Sequence, residues 1–180
     1  ILPPLVGVLG FVFILGRAGT VNILLMDWFG MEHPINFMYG MHGILLVETV
    51  HLFPLMTLSV LDSLSKVDPS LEEAAEGVGA TGWHRFWTIT LPLTTPGYVS
   101  GALLVFIWTF ADFITPLVLG VQDLLAPQAY LNIMQFVDRR IFRMGIVISA
   151  LLVVLAILFV IAAREYVAIK DYSSLAYSRV

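Results

Sequence analysis

The sequence predicts an all-α membrane protein, a multi-span helical bundle, and three observations lead there. Of 180 residues, 59% are hydrophobic and 12% charged, well outside the range of soluble domains. The scarce charge is clustered: no Asp, Glu, Lys or Arg occurs from Phe86 to Ala111 or from Met144 to Ala163. The second gap is 20 residues, about one bilayer thickness at the helical rise of roughly 1.5 Å per residue. The alternation over roughly ten residues that marks a membrane barrel strand is missing.

Taken in order, the elements follow from where charge is absent. Residues 1–16 form an apolar run with no basic flank and no small-residue cleavage site after it, so we read a spanning helix truncated by the start of the fragment, not a signal peptide. A polar segment at 17–36 precedes the first complete span, 37–61. A charged loop at 62–93 leads to a second span at 94–119. A polar segment at 120–143 leads to a third at 144–163, and a charged tail occupies 164–180. Within 120–143, Gln122, Gln128, Asn132 and Gln135 make 121–136 too polar for a span and suit a partly embedded helix.

Composition also excludes chemistry. There are no cysteines, hence no disulfide and no thiolate metal site, and a net charge of −4 offers no groove for nucleic acid. No phosphate-binding loop of the Gly-x-x-x-x-Gly-Lys type, no His-Glu-x-x-His and no Gly-x-Ser-x-Gly occurs, so catalytic residues, cofactors and a resident metal are not expected.

Seven of the 22 charged residues lie between Asp62 and Arg85. Asp68 followed by Pro69 fits a helix N-cap with proline at the first helical position, and Glu72 and Glu73 sit where the helix dipole favours anions. Gly77 and Gly79 supply a stop. Thr81 is placed to cap a second short helix over 82–88, and Leu91-Pro92 is expected to break the chain and turn it into the next span. The loop is therefore a helix, a turn and a helix.

Its fixed residues read Glu73-Ala74-Ala75, three residues, Gly79, nine residues, Ile89-Thr90-Leu91-Pro92. This resembles the EAA signature of permease subunits of binding-protein-dependent type I ABC importers, the MetI-like core with a cytoplasmic coupling helix, and every fixed position matches. The resemblance implies that Glu73, Ala74, Ala75 and Gly79 meet an ABC ATP-binding subunit, with Ile89, Leu91 and Pro92 bracing the return to the membrane. An ordinary capped loop helix would explain the acids but not the spacing from Gly79 to Ile89 and Pro92. Small alanines suit close docking, and Gly79 permits a sharp backbone turn.

Sidedness follows from the resemblance alone. With the loop inside, basic residues divide five inside (Lys66, Arg85, Arg164, Lys170, Arg179) against four outside (Arg17, Arg139, Arg140, Arg143), which decides nothing by itself. Residues 62–93 and 164–180 become cytoplasmic, and 17–36 and 120–143 outer. Residues 3–7 (Pro-Pro-Leu-Val-Gly), 113–120 and 163–166 look like the ferric-iron branch of these permeases, which is related to the thiamine, phosphonate and polyamine branches. The implied partners are the ATP-binding subunit, a periplasmic or extracellular solute-binding protein, a second permease subunit or second half of the same chain, and membrane lipid. Ferric iron is the expected solute, with a polyamine, thiamine or a phosphonate as the alternatives within the same class, and the bacterial inner membrane is the expected location.

Two carboxylates fall inside spans, where an ionised group costs several kcal/mol unless it meets water or a partner. Glu48 and Asp112 sit at similar depth in the outer half, and His51 shares the face of Glu48. They are read as candidates to line the translocation path. The alternative is structural: Asp112 caps a helix end before Pro116, and Glu48 pairs with a neighbouring helix. A rival of another class, an ion-coupled carrier or membrane enzyme, would use Glu48, His51 and Asp112 as a proton or metal site. Gly97 with Gly101, and Gly145 with Ser149, have the spacing that lets membrane helices approach closely. Pro54 and Pro116 predict kinks. Trp83, Trp87 and Tyr98 suit the interfacial aromatic belt. Asp138, Arg139, Arg140 and Arg143 suit contact with the binding protein or, equally, pairing with lipid phosphates or within the Asp138 to Arg143 cluster itself.

Overall fold

The computed structural model describes residues 3–77 and 79–177, with the side chains of 69, 71–73 and 167–177 outside the description. Among the described residues all regular structure is helical: α1 (Pro4–Leu15), α2 (Thr20–Phe29), α3 (Met41–Leu64), α4 (Pro69–Gly77), α5 (Gly82–Arg85), a π-helical turn (Phe86–Thr90), α6 (Leu91–Ala111), α7 (Ile114–Val118), α8 (Leu125–Met134) and α9 (Arg139–Tyr177). Among the described residues four stretches are long and apolar enough to cross a membrane: Pro4–Phe29, Met41–Leu64, Gly82–Ala111 and Arg139–Tyr166. The chain is an all-α membrane protein, built as two compact units.

One unit comprises Ile1–Leu52 and Trp108–Ala156. Its core is Val8, Met38, Ile44, Val47 and Leu119. The segment 17–36, read from sequence as simply polar, contains helix α2. Asn22 explains how a polar residue sits there: it is 1% exposed, donating from Nδ2 to the carbonyls of Gly16 at 2.8 Å and Ile35 at 2.9 Å and accepting the Ile35 N–H at 2.8 Å. One amide thus ties the end of α1 to the chain returning toward α3. Leaving such buried partners unpaired costs about 1–3 kcal/mol each. Next to it, Arg17 lies 5.0 Å over the Tyr39 ring, and the Gly40 N–H donates to the Leu119 carbonyl at 3.0 Å. That bond pins the start of α3 to the end of α7. Phe113 stacks on Tyr130 at 4.5 Å, fastening the approach to α7 onto α8. Gly145 lets α9 lie against α8, since a β-carbon there would stand 2.8 Å from the backbone nitrogen of Ile133.

The other unit comprises Phe53–Ile107 and Ile157–Val180. Here α3 and α6 touch through Gly97 and Gly101, whose absent side chains leave room for Ser59, Ser63 and Met56. Phe106 and Phe159 stack at 3.7 Å, adding an aromatic contact between α6 and α9.

The helix boundaries correct four expectations. Leu91-Pro92 does not break the chain: the helix runs on from Gly82 to Ala111 with a π turn in its path. The Leu91 N–H bonds back to Phe86, widening the turn just before Pro92, whose nitrogen has no hydrogen to give. The hydroxyl of Thr94 donates to the carbonyls of Thr90 and Leu91 at 3.0 and 3.1 Å, which holds the helix together after the proline. Thr81 occupies the N-cap of α5 but makes no side-chain cap bond. The span expected to reach residue 119 ends at Ala111, and Pro116 lies buried in α7 instead of kinking a span. Pro54 does lie within α3.

Candidate functional site

The charged loop is built by backbone logic that its sequence specifies. Asp68 Oδ1 accepts the Ser70 N–H at 2.9 Å, capping α4. The same bond holds the Asp68 carboxyl below its ordinary range. A lowered pKa means that this cap is complete at neutral pH and is lost as pH falls through the folded-state value. At the far end, Gly79 adopts φ +87°, its N–H donates to the Glu76 carbonyl at 3.0 Å, and the Ala80 N–H reaches the Ala75 carbonyl at 2.9 Å. These are the paired bonds of a Schellman turn, with glycine at the left-handed position. Gly79 is therefore the residue that ends α4 and reverses the chain.

The two alanines of the motif part company. Ala74 is exposed, whereas Ala75 is 4% exposed, on a helix that packs against α5 and the π turn. A small residue at 75 keeps α4 close to that support. The Glu73 side chain lies outside the described residues. An ion pair between Glu76 and Arg85 joins α4 to α5; both groups retain solvent contact, so it contributes less than about 1 kcal/mol. Ile89 and Leu91 are half-buried and Pro92 is exposed. Trp83 stacks on Phe86 at 5.3 Å and meets Trp87 edge-on at 5.9 Å, a largely exposed aromatic cluster beside the loop.

The second candidate lies within the first unit. Glu48, His51, Trp108, Asp112 and Thr115 line one narrow cleft. Its free volume is about 10 Å³, room for about one water. Glu48 accepts from Thr109 Oγ1 at 3.3 Å. Asp112 Oδ1 accepts the backbone N–H groups of Ile114 at 2.8 Å and Thr115 at 3.4 Å, so it ends α6 and starts α7. The structure thus brings Glu48, His51 and Asp112 together and gives Asp112 the structural job set out as its alternative. His51 approaches α1 at Gly7, where a β-carbon would stand 3.0 Å from Nδ1; among the described residues its buried Nε2 has no hydrogen-bond partner. Thr109 and Thr115 were not picked out from sequence, although Thr109 stands one helical turn before Asp112 and faces the same way. Among the described residues no group of three or more His, Asp or Glu is arranged to hold a metal ion.

Residues 1–168 match the family of binding-protein-dependent transport system inner membrane components. The chain is 32% identical over 176 residues, 95% of its length, to the ferric transport system permease protein FbpB of Actinobacillus pleuropneumoniae. It is 40% identical over 115 residues, 63% of its length, to the molybdenum transport system permease protein ModB of Escherichia coli. To the spermidine/putrescine transport system permease protein PotB of Haemophilus influenzae it is 32% identical over 116 residues, 64% of its length. It spans 26%, 48% and 41% of those relatives, so half or less of each. Family match and fold together carry the conclusion: this chain belongs to the binding-protein-dependent transport system inner membrane components, the multi-pass permeases of ABC importers of the MetI type.

Proposed function

We propose that the chain forms part of the translocation path of an ATP-driven importer and seats a separate ATP-binding subunit on the loop from α4 to the π turn. The observation that carries this reading is the realised signature: a capped α4 with Ala74 exposed, Ala75 packed inward, and a glycine-dependent reversal at Gly79. ATP hydrolysis belongs to the partner. Closure of two ATPase subunits would move the loop as a rigid lever and rock the spans between inward- and outward-facing states. The loop and the tail lie in the cytoplasm, and a binding protein delivers solute to the opposite side. A second permease subunit, or a second half of the same chain, completes the path.

Ferric iron is the proposed solute, supported by the ferric relative that covers 95% of the chain. A second reading, molybdate, is favoured by the 40% identity to the molybdenum permease. The Glu48 and Asp112 carboxylates would favour the cation if they meet the solute. Uptake into proteoliposomes holding the complete transporter should require ATP and the binding protein, and should accept labelled ferric iron in preference to molybdate. Uptake without ATP would instead support the carrier that uses Glu48, His51 and Asp112.

Path lining by the cleft has its own test. Asp112→Asn keeps an acceptor for the Ile114 and Thr115 N–H groups, so it removes charge while leaving the cap in place. Glu48→Gln likewise keeps an acceptor for Thr109. Each is expected to lower ATP-driven uptake several-fold while the ATP-binding subunit still co-purifies. Normal uptake by both variants would assign the cleft to helix packing alone.

A further inference from the structure

The N-terminal end of α9 carries cations that two general rules disfavour. Arg139, Arg140 and Arg143 occupy its first turns, where the helix dipole repels positive charge, and the proposed topology puts them on the outer side, against the usual basic bias. Local pairing does not relieve this. Asp138 Oδ1 is engaged by the backbone N–H groups of Arg140 at 2.8 Å and Ile141 at 3.3 Å. Among the described residues neither Arg140 nor Arg143 forms an ion pair with a carboxylate. Arg143 donates from Nε to the Arg139 carbonyl at 3.1 Å, which leaves the rest of its guanidinium free to bind.

Arg140 and Arg143 share one open groove of about 350 Å³ with Met144, Val147 and Ile148. These five positions follow the three-and-four spacing of a single helix face. Depth along the helix fixes what can reach them. The uncharged run from Met144 to Ala163 is 20 residues, matching the hydrocarbon thickness of about 30 Å. Arg143 therefore stands at the hydrocarbon boundary, Arg140 one turn further out at headgroup level, and Met144, Val147 and Ile148 below both. Met144 and Val147 are 54% and 67% exposed, and the most apolar window of the helix has no buried residue.

We propose that this face binds an anionic phospholipid, its phosphate held between the Arg140 and Arg143 guanidiniums and its acyl chain lying along Met144, Val147 and Ile148. A guanidinium pair matches phosphate oxygens in charge and in hydrogen-bond geometry. The order of the groups along the helix selects the class of ligand, since only a lipid presents an anion with apolar chain directly beneath it. A soluble protein docking from outside would meet the arginines but not the apolar positions under the headgroups.

The test is native mass spectrometry of the complete detergent-solubilised transporter, titrated with palmitoyl-oleoyl phosphatidylglycerol or with the corresponding phosphatidylcholine. Phosphatidylglycerol should be retained preferentially. Arg140→Gln with Arg143→Gln should weaken its retention about thirtyfold, from about 1 kcal/mol for each basic side chain. Arg139→Gln, lying outside the groove, should have little effect, and Arg140→Lys with Arg143→Lys should keep most of the charge preference while losing part of the affinity. Equal retention of the two lipids, or an unchanged double glutamine variant, overturns the proposal. So does a double variant that loses affinity for the solute-binding protein while lipid retention stays as in the native transporter.

Discussion

Replacing Gly97 by valine is expected to strip the protein from the membrane, with a loss of stability of about 3 kcal/mol or more. A β-carbon at 97 would stand 2.2 Å from Ser63 Cβ and 2.6 Å from the Ser59 carbonyl oxygen. The second obstacle is backbone, so no rotamer change relieves it, and α3 and α6 must separate along their contact. Helices in lipid have little hydrophobic drive to re-associate, and close packing of small residues is a main source of their affinity. Gly10→Ala is the matched control, because nothing lies within 4 Å of a β-carbon there. Thermal unfolding in detergent, with membrane levels measured in parallel, should show a large deficit for the first variant and none for the second. A Gly97→Val protein as stable as the native chain would contradict the α3–α6 contact.

Gly79→Val should fail differently, leaving the protein in the membrane but uncoupled from ATP. Open space surrounds position 79, so the substitution creates no clash. Its effect comes from backbone conformation: φ is +87°, where a β-branched residue is disfavoured by about 1–2 kcal/mol. The Schellman bonds from Gly79 and Ala80 would weaken, and α4 would lose its fixed direction. We expect ATP-driven uptake to fall at least about tenfold, which needs only about 1.4 kcal/mol of lost coupling. Gly79→Asn, which tolerates the left-handed region, should retain most of it. The valine variant transporting as well as the asparagine variant would show that the reversal at Gly79 does not matter to coupling.

The contrast between these glycines shows what sequence patterning could and could not reveal. Gly79 was recognisable because a stop signal after an acidic, capped run depends on local chemistry, and the structure realises it as a turn with two specific backbone bonds. The Gly97 and Gly101 pair was legible as a small-residue stripe, but its partner helix was not, because spacing says nothing about which neighbour fills the space. Asn22 was hidden for a similar reason. Its three bonds reach Gly16 and Ile35, and only tertiary proximity distinguishes a buried knot from an ordinary polar loop. The end of α6 was misplaced because a charge-free run sets where a span can lie, whereas the Asp112 side chain, by taking two backbone N–H groups, sets where the helix stops. Proline misled in the same way at Leu91-Pro92, where the π turn accommodates the missing amide. Of the cleft, the charged members Glu48, His51 and Asp112 stood out in an apolar sequence, while Thr109 and Thr115 were indistinguishable from ordinary span residues.

The claim on which the rest depends is that the loop from α4 to the π turn seats the ATP-binding subunit. The 180 residues contain no cysteine, so Ala74→Cys and Phe136→Cys provide clean single attachment points on exposed positions, assigned by the topology to opposite sides of the membrane. In complete transporter made cysteine-free elsewhere, cross-linking to the ATP-binding subunit should occur from Ala74→Cys, respond to ATP, and be absent from Phe136→Cys. A cross-link from position 136 with none from 74 would contradict both the docking site and the topology built on it.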